Sequence, residues 1–149
     1  MEFRTIDDIL DFAIGREEAA AALYTSMAER VTRPEMREAL ISFAEEEQRH
    51  RQRLLKVKAG ELPAVSREKI HDLRIADYVV QPEPTARMDY PEALRFAMNA
   101  EKAAFRLYSD LAEISPANHA AVFRALAQEE AKHKLRFEVE YEDNVLKSW

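Results

Sequence analysis

Ala44-Glu45-Glu46-Glu47-Gln48-Arg49-His50 sits in the middle of a segment whose apolar residues recur at helical spacing, and it decides how the chain is read. A near-copy, Ala127-Gln128-Glu129-Glu130-Ala131-Lys132-His133, returns 83 positions later. Each copy sets a Glu three residues ahead of a His. On a helix that offset is about 300° of rotation and about 4.5 Å of rise, so carboxylate and imidazole leave from neighbouring points on one face. The two copies read as halves of one metal site.

Outward from the first copy, the stripe Met36, Leu40, Phe43, Glu47, His50, Leu54 and Val57 steps by three and four. Glu47 and His50 therefore lie on the apolar face of a helix predicted to start near Pro34 and to end by Ala59-Gly60. Before it, Thr5-Ile6-Asp7-Asp8 resembles a capping box, and Leu10, Ala13, Glu17, Ala20, Tyr24, Met27 and Val31 form a first stripe with Glu17 at its centre. Arg33-Pro34 marks the break between the two helices. Residues 61–88, with Leu62-Pro63 and Gln81-Pro82-Glu83-Pro84, read as a long connection holding one short helix over 66–79.

Asp89-Tyr90-Pro91-Glu92 starts a third long helix, with stripe Leu94, Ala97, Glu101, Ala104, Tyr108 and Leu111. Ser115-Pro116 ends it. A fourth carries Phe123, Leu126, Glu130, His133, Phe137 and Tyr141 and is expected to continue toward Trp149. The halves repeat: Glu17 and Tyr24 match Glu101 and Tyr108, and Glu47 and His50 match Glu130 and His133. Two helix pairs joined by a long crossover are one way to wire a four-helix bundle. The repeat predicts approximate two-fold symmetry with a site on the axis.

Composition agrees. Two Gly in 149 residues and 34% charged residues point to an all-α fold in one domain, residues 1–149. A net charge of −6 argues against a nucleic-acid partner and suits a protein that attracts cations. With no Cys, disulfides, iron–sulfur clusters, Cys-ligated zinc and a rubredoxin-type iron site are excluded. No apolar run approaches the roughly 20 residues needed to span a bilayer, so no membrane role is expected. The acidic N-terminus does not read as a signal peptide, and a cytoplasmic location is expected.

Glu-x-x-His alone carries little, because it also occurs at Glu68 and His71 in the connecting segment, off any stripe and without a repeat partner. Glu83 and Tyr90 likewise mimic the Glu17–Tyr24 spacing, but Pro84 and the cap at Asp89 interrupt them. The specific signal is the conjunction of Glu17, Glu47-x-x-His50, Glu101 and Glu130-x-x-His133, each on a core stripe. Burying four carboxylates together without cations forces their protonation. Two divalent cations balance four carboxylates, with neutral imidazoles as further ligands. A carboxylate-rich set with two imidazoles suits iron or manganese, and two bridged ions would lie ~3.5–4 Å apart.

This order of residues resembles the ferritin-like di-iron carboxylate family and, within it, the rubrerythrin-related proteins. The resemblance covers nearly the whole chain. It implies Glu17 and Glu101 as one terminal ligand per iron, Glu47 and Glu130 as bridging carboxylates, and His50 and His133 as one imidazole per iron. Glu18 is the alternative to Glu17, which the stripe and the Tyr24 spacing favour. Tyr24 and Tyr108 fall where the family often places tyrosines that hydrogen-bond to ligands of the opposite half; ordinary core packing is the competing role.

Three departures shape the expectation. Without a rubredoxin domain, electrons must come from a separate donor protein or from ferrous iron itself. Rubrerythrins carry an extra Glu shortly after the third-helix ligand, whereas Lys102-Ala103-Ala104-Phe105 offers no carboxylate. The six-ligand set is nearer a bacterioferritin-type ferroxidase. Only 16 residues follow His133, and the fourth helix should use most of them, so a ferritin-type storage shell is not expected; a homodimer is. The reading is a di-iron oxidoreductase that oxidises ferrous iron with dioxygen or hydrogen peroxide, in iron homeostasis or oxidative-stress defence. The alternatives are a non-catalytic iron-binding or iron-delivery module and a dimanganese oxidase.

Overall fold

Thr5 opens the first helix as its sequence predicts. Its side chain accepts from the Asp8 amide at 3.1 Å, and the Asp8 carboxylate accepts from the Thr5 amide at 3.2 Å, so both orphan donors are satisfied. The computed structural model describes residues 2–81, 84–85 and 88–146. It comprises α1 (Ile6–Arg30), α2 (Pro34–Ala59), a short α3 (Arg67–Asp72), a 3-10 turn (Ile75–Asp77), α4 (Tyr90–Ile114) and α5 (Ala117–Asn144). Pro34 and Pro91 sit in first turns, where a missing N–H costs nothing, and Asp89 caps α4 by accepting from the Glu92 amide at 2.8 Å.

The architecture is an all-α, ferritin-like bundle. Helix α1 packs closely along α2 and α4 along α5, whereas the seams between the pairs, α1–α4 and α2–α5, are wider. Four stripes face inward, and their polar members divide the core in two. One apolar cluster gathers Ile9, Leu10, Leu54, Leu111, Phe123 and Leu126; the other gathers Met27, Met36, Leu40, Leu94 and Phe137. The candidate metal ligands occupy the layer between them. No helix among the described residues is long and apolar enough to cross a membrane.

Two boundaries differ from expectation. The crossover helix predicted over 66–79 is broken: α3 stops at Asp72, Leu73 is extended, and the chain resumes as the 3-10 turn. A continuous helix would carry Tyr78 about 12 Å along its axis from Ile70. The break instead lets both bury against the bundle, with the Tyr78 hydroxyl donating to Asp110 on α4 at 2.7 Å. The last long helix ends at Asn144, because Val145 turns inward to join the second apolar cluster. Trp149 lies outside the described residues, as do Pro82 and Glu83 of the interrupted Glu83–Tyr90 spacing.

Candidate metal centre

Glu17, Glu47, His50, Glu101, Glu130 and His133 are all buried to 2% exposure or less in mid-helix, so each is delivered by the register of its stripe. They form two groups in which candidate ligand atoms lie within 4.8 Å of one another: Glu17, Glu47, His50 and Glu130, and Glu47, Glu101, Glu130 and His133. Glu47 and Glu130 belong to both groups. The His50 Nδ1 lies 3.0 Å from Glu130 and 3.5 Å from Glu17; the His133 Nδ1 lies 2.9 Å from Glu47 and 3.6 Å from Glu101. Each imidazole thus reaches across the bundle to the carboxylate of the other half's repeat. The two rings run nearly parallel, 15° apart, with centroids 6.2 Å from one another.

The chemistry of the inward atoms fits cations. Glu17 Oε2, both Glu47 oxygens, Glu101 Oε2, Glu130 Oε1 and the Nδ1 atoms of both histidines are buried and lack hydrogen-bond partners. A buried acceptor left unmade is costly, and here the orphaned atoms converge on one place. Without metal the cluster must hold protons instead. Burial and repulsion from Glu130 and Glu17 push the Glu47 carboxyl well above its ordinary range, and burial with repulsion from Glu130 raises Glu101 to about 8. For Glu17, burial works upward, but the neighbouring Glu47 and His50 side chains outweigh it and lower the carboxyl. Burial lowers the histidines, yet their carboxylate neighbours prevail, lifting His50 to about 10 and His133 to about 9. A metal entering this layer displaces those protons, since ligands coordinate deprotonated.

The surrounding contacts follow the same symmetry. The Tyr24 hydroxyl donates to Glu101 and the Tyr108 hydroxyl to Glu17, each bond crossing from one helix pair to the other. Burial and the adjacent carboxylates raise both phenols well above their usual value, so they remain donors. On the outer side, His50 Nε2 pairs with Glu129 at 2.7 Å and His133 Nε2 pairs with Glu46. A carboxylate on the distal nitrogen fixes ring orientation and raises ligand basicity. Arg53 holds Glu129 in turn at 3.2 Å, and Phe43 stacks on His133 with centroids 4.2 Å apart.

Glu46 and Glu129 escaped the sequence reading, although both copies of the repeat carry a Glu directly before the bridging candidate. Glu140 escaped it too. This carboxylate is 1% exposed, takes both guanidinium nitrogens of Arg33, and accepts from Tyr90 at 2.7 Å and Asn144 at 2.8 Å. It ties the α1–α2 turn to α4 and α5 away from the cluster. Glu18 is exposed and pairs with Arg51 at 2.7 Å, which leaves Glu17 as the inward residue. Glu68 and His71 are exposed. Ala104, three residues after Glu101, adds no carboxylate and lines a cavity between α1 and α4.

Comparison with known proteins places this geometry. The rubrerythrin family model matches residues 8–141, which takes in all four long stripes and every residue of the cluster. No curated protein matches the chain. Among solved structures, a hypothetical protein from Pyrococcus furiosus is similar at 27% identity and a TM-score of 0.71, covering 93% of this chain and 89% of that one. On its sequence match, its fold and its buried carboxylate–histidine cluster, the chain belongs to the rubrerythrin family.

Proposed function

We propose that the chain is a di-iron oxidoreductase that oxidises ferrous iron with dioxygen or hydrogen peroxide. One observation carries the reading: two ligand groups share Glu47 and Glu130, with unpartnered oxygens and nitrogens turned toward a common centre. Four carboxylates offset the charge of two divalent ions, and hard oxygen donors with one imidazole each suit iron. Iron bound there supplies the one-electron redox chemistry.

The chain's own residues do the rest. Glu17 and Glu101 would each hold one ion, and Glu47 and Glu130, which belong to both ligand groups, would serve either. Glu129 and Glu46 orient His50 and His133 through their distal nitrogens. Tyr24 and Tyr108 steady the outer carboxylates and hold protons at their hydroxyls beside the reaction space. The apolar clusters on either side exclude water along the bundle axis. Reducing equivalents come from ferrous iron itself or from a separate donor protein.

The test begins with anaerobic ferrous loading followed by stopped-flow mixing with peroxide or oxygenated buffer. The reading predicts uptake of about two irons per chain and rapid oxidation, both lost in Glu47→Ala and Glu130→Ala. Uptake without consumption of oxidant contradicts turnover and makes the chain an iron-holding or iron-delivery module. Manganese in protein purified from its native host makes it a dimanganese oxidase instead.

A further inference from the structure

The cavity between α1 and α4 has a volume of about 320 Å³ and is lined by all four cluster carboxylates but by neither histidine. Dioxygen or peroxide needs little more room than a water molecule, on the order of 30 Å³. The space is ten times that, and it reaches the range of about 300–1,000 Å³ typical of pockets for small organic molecules. Away from the cluster its walls are largely apolar: Phe12 and Leu23 from α1, Phe96 from α4, and Val79 from the crossover. The wide α1–α4 seam and the run of alanines along it, including Ala100, keep it open.

Arg16 is the one cation on this lining among the described residues, and it is half-buried. Among those residues it makes no hydrogen bond or ion pair, so its guanidinium donors are free. An unpaired guanidinium beside an apolar chamber is complementary to a carboxylate head on an apolar body, and it offers two parallel donors to such a head. Arg16 is the one cation among the described lining residues, so a second anionic group would find no partner at the inner end.

We propose that this cavity binds a small monocarboxylate with an aliphatic or aromatic body, its head on Arg16 and its body against Phe12, Leu23 and Phe96. The bound molecule then sits against the carboxylate side of the cluster, which makes it a candidate organic substrate or effector. Binding is independent of oxidation: iron uptake can persist when the pocket is empty, and the pocket can fill when the metal is absent.

Isothermal titration of the purified full chain with octanoate, and separately with uncharged 1-octanol, tests this. The expected result is saturable one-to-one octanoate binding, weakened at least tenfold in Arg16→Gln, with octanol binding unchanged by that substitution. Ala100→Leu, which fills the chamber, abolishes binding of both probes while helix content is retained; Ala104→Leu serves as a second filling variant. Failure of octanoate to saturate overturns the proposal. So does an Arg16→Gln variant that binds octanoate as well as the parent, or a folded filling variant that still binds.

Discussion

The α1–α2 and α4–α5 pairs carry the same residues at the positions that face the cluster and diverge at many of those that only pack. Glu17 matches Glu101, Tyr24 matches Tyr108, Glu46 and Glu47 match Glu129 and Glu130, and His50 matches His133. Beyond each His the match fails: four residues on, Leu54 corresponds to Phe137, and seven residues on, Val57 to Glu140. Val57 is half-buried on one side, and Glu140 is buried and tied to Arg33 and Tyr90 on the other. Tyr24 rests against Phe137 with centroids 5.1 Å apart, while Tyr108 shares its cluster with Leu54 at the corresponding position. Coordination demands fixed donor types at fixed positions. Packing demands only volume, so the ends of the pairs are free to diverge.

The largest effects are expected at the carboxylates that belong to both ligand groups. Glu47→Ala and Glu130→Ala should each abolish both metal positions, because each carboxylate belongs to both groups. Glu17→Ala and Glu101→Ala should each leave one metal held. Metal analysis after anaerobic loading reads the difference. In the metal-free protein, Glu47→Gln should raise Tm, since it removes a carboxyl whose burial and neighbours oppose its charge. About 1 kcal/mol of relief corresponds to roughly 2–4 °C for a chain of this size.

The next largest effect lies where the halves differ. Arg33→Ala should cost about 2 kcal/mol, because it strands Glu140 without its cation; Arg33 is 34% exposed, and water screens part of the pair. Burial pushes the Glu140 carboxyl up, but hydrogen bonds from Arg33 and Tyr90 outweigh it and hold it below 4.5. A lowered carboxylate contributes stability above 4.5 that is lost as pH falls through its folded value. Thermal unfolding followed into acid should therefore show a decline below that pH, shallower in Arg33→Ala.

These contrasts also separate what the sequence made legible from what it hid. Helix starts were legible because capping is local: Thr5 with Asp8, and Asp89 with Glu92, each satisfy an amide within one turn. The six inward residues were legible because the stripe and the repeat identify them independently. Glu140 was hidden because it has no counterpart and sits one residue before the expected stripe position at Tyr141. The break at Leu73 was hidden because it depends on Tyr78 finding Asp110, a contact between distant parts of the chain. Glu46 and Glu129 were written in the repeat, but each lies one position off the core stripe, and its partner is a histidine on the opposite helix pair.

Smaller effects sharpen the symmetry itself. Tyr24→Phe and Tyr108→Phe should weaken metal binding by about tenfold, and equally, as should Glu46→Gln and Glu129→Gln. Unequal losses within a pair, measured by competition with a metal chelator, would mean the two metal positions are not equivalent. The smallest expected effect is none: Glu68→Ala with His71→Ala should leave iron uptake unchanged, because that motif is exposed and lacks a copy.

The central claim is that one layer of the bundle holds two metals bridged by Glu47 and Glu130. Anomalous scattering from crystals loaded anaerobically with ferrous iron tests it most directly. Two iron peaks about 3.5–4 Å apart, both within ligand distance of Glu47 and Glu130, are expected. A single peak, or two that share neither carboxylate, would contradict it.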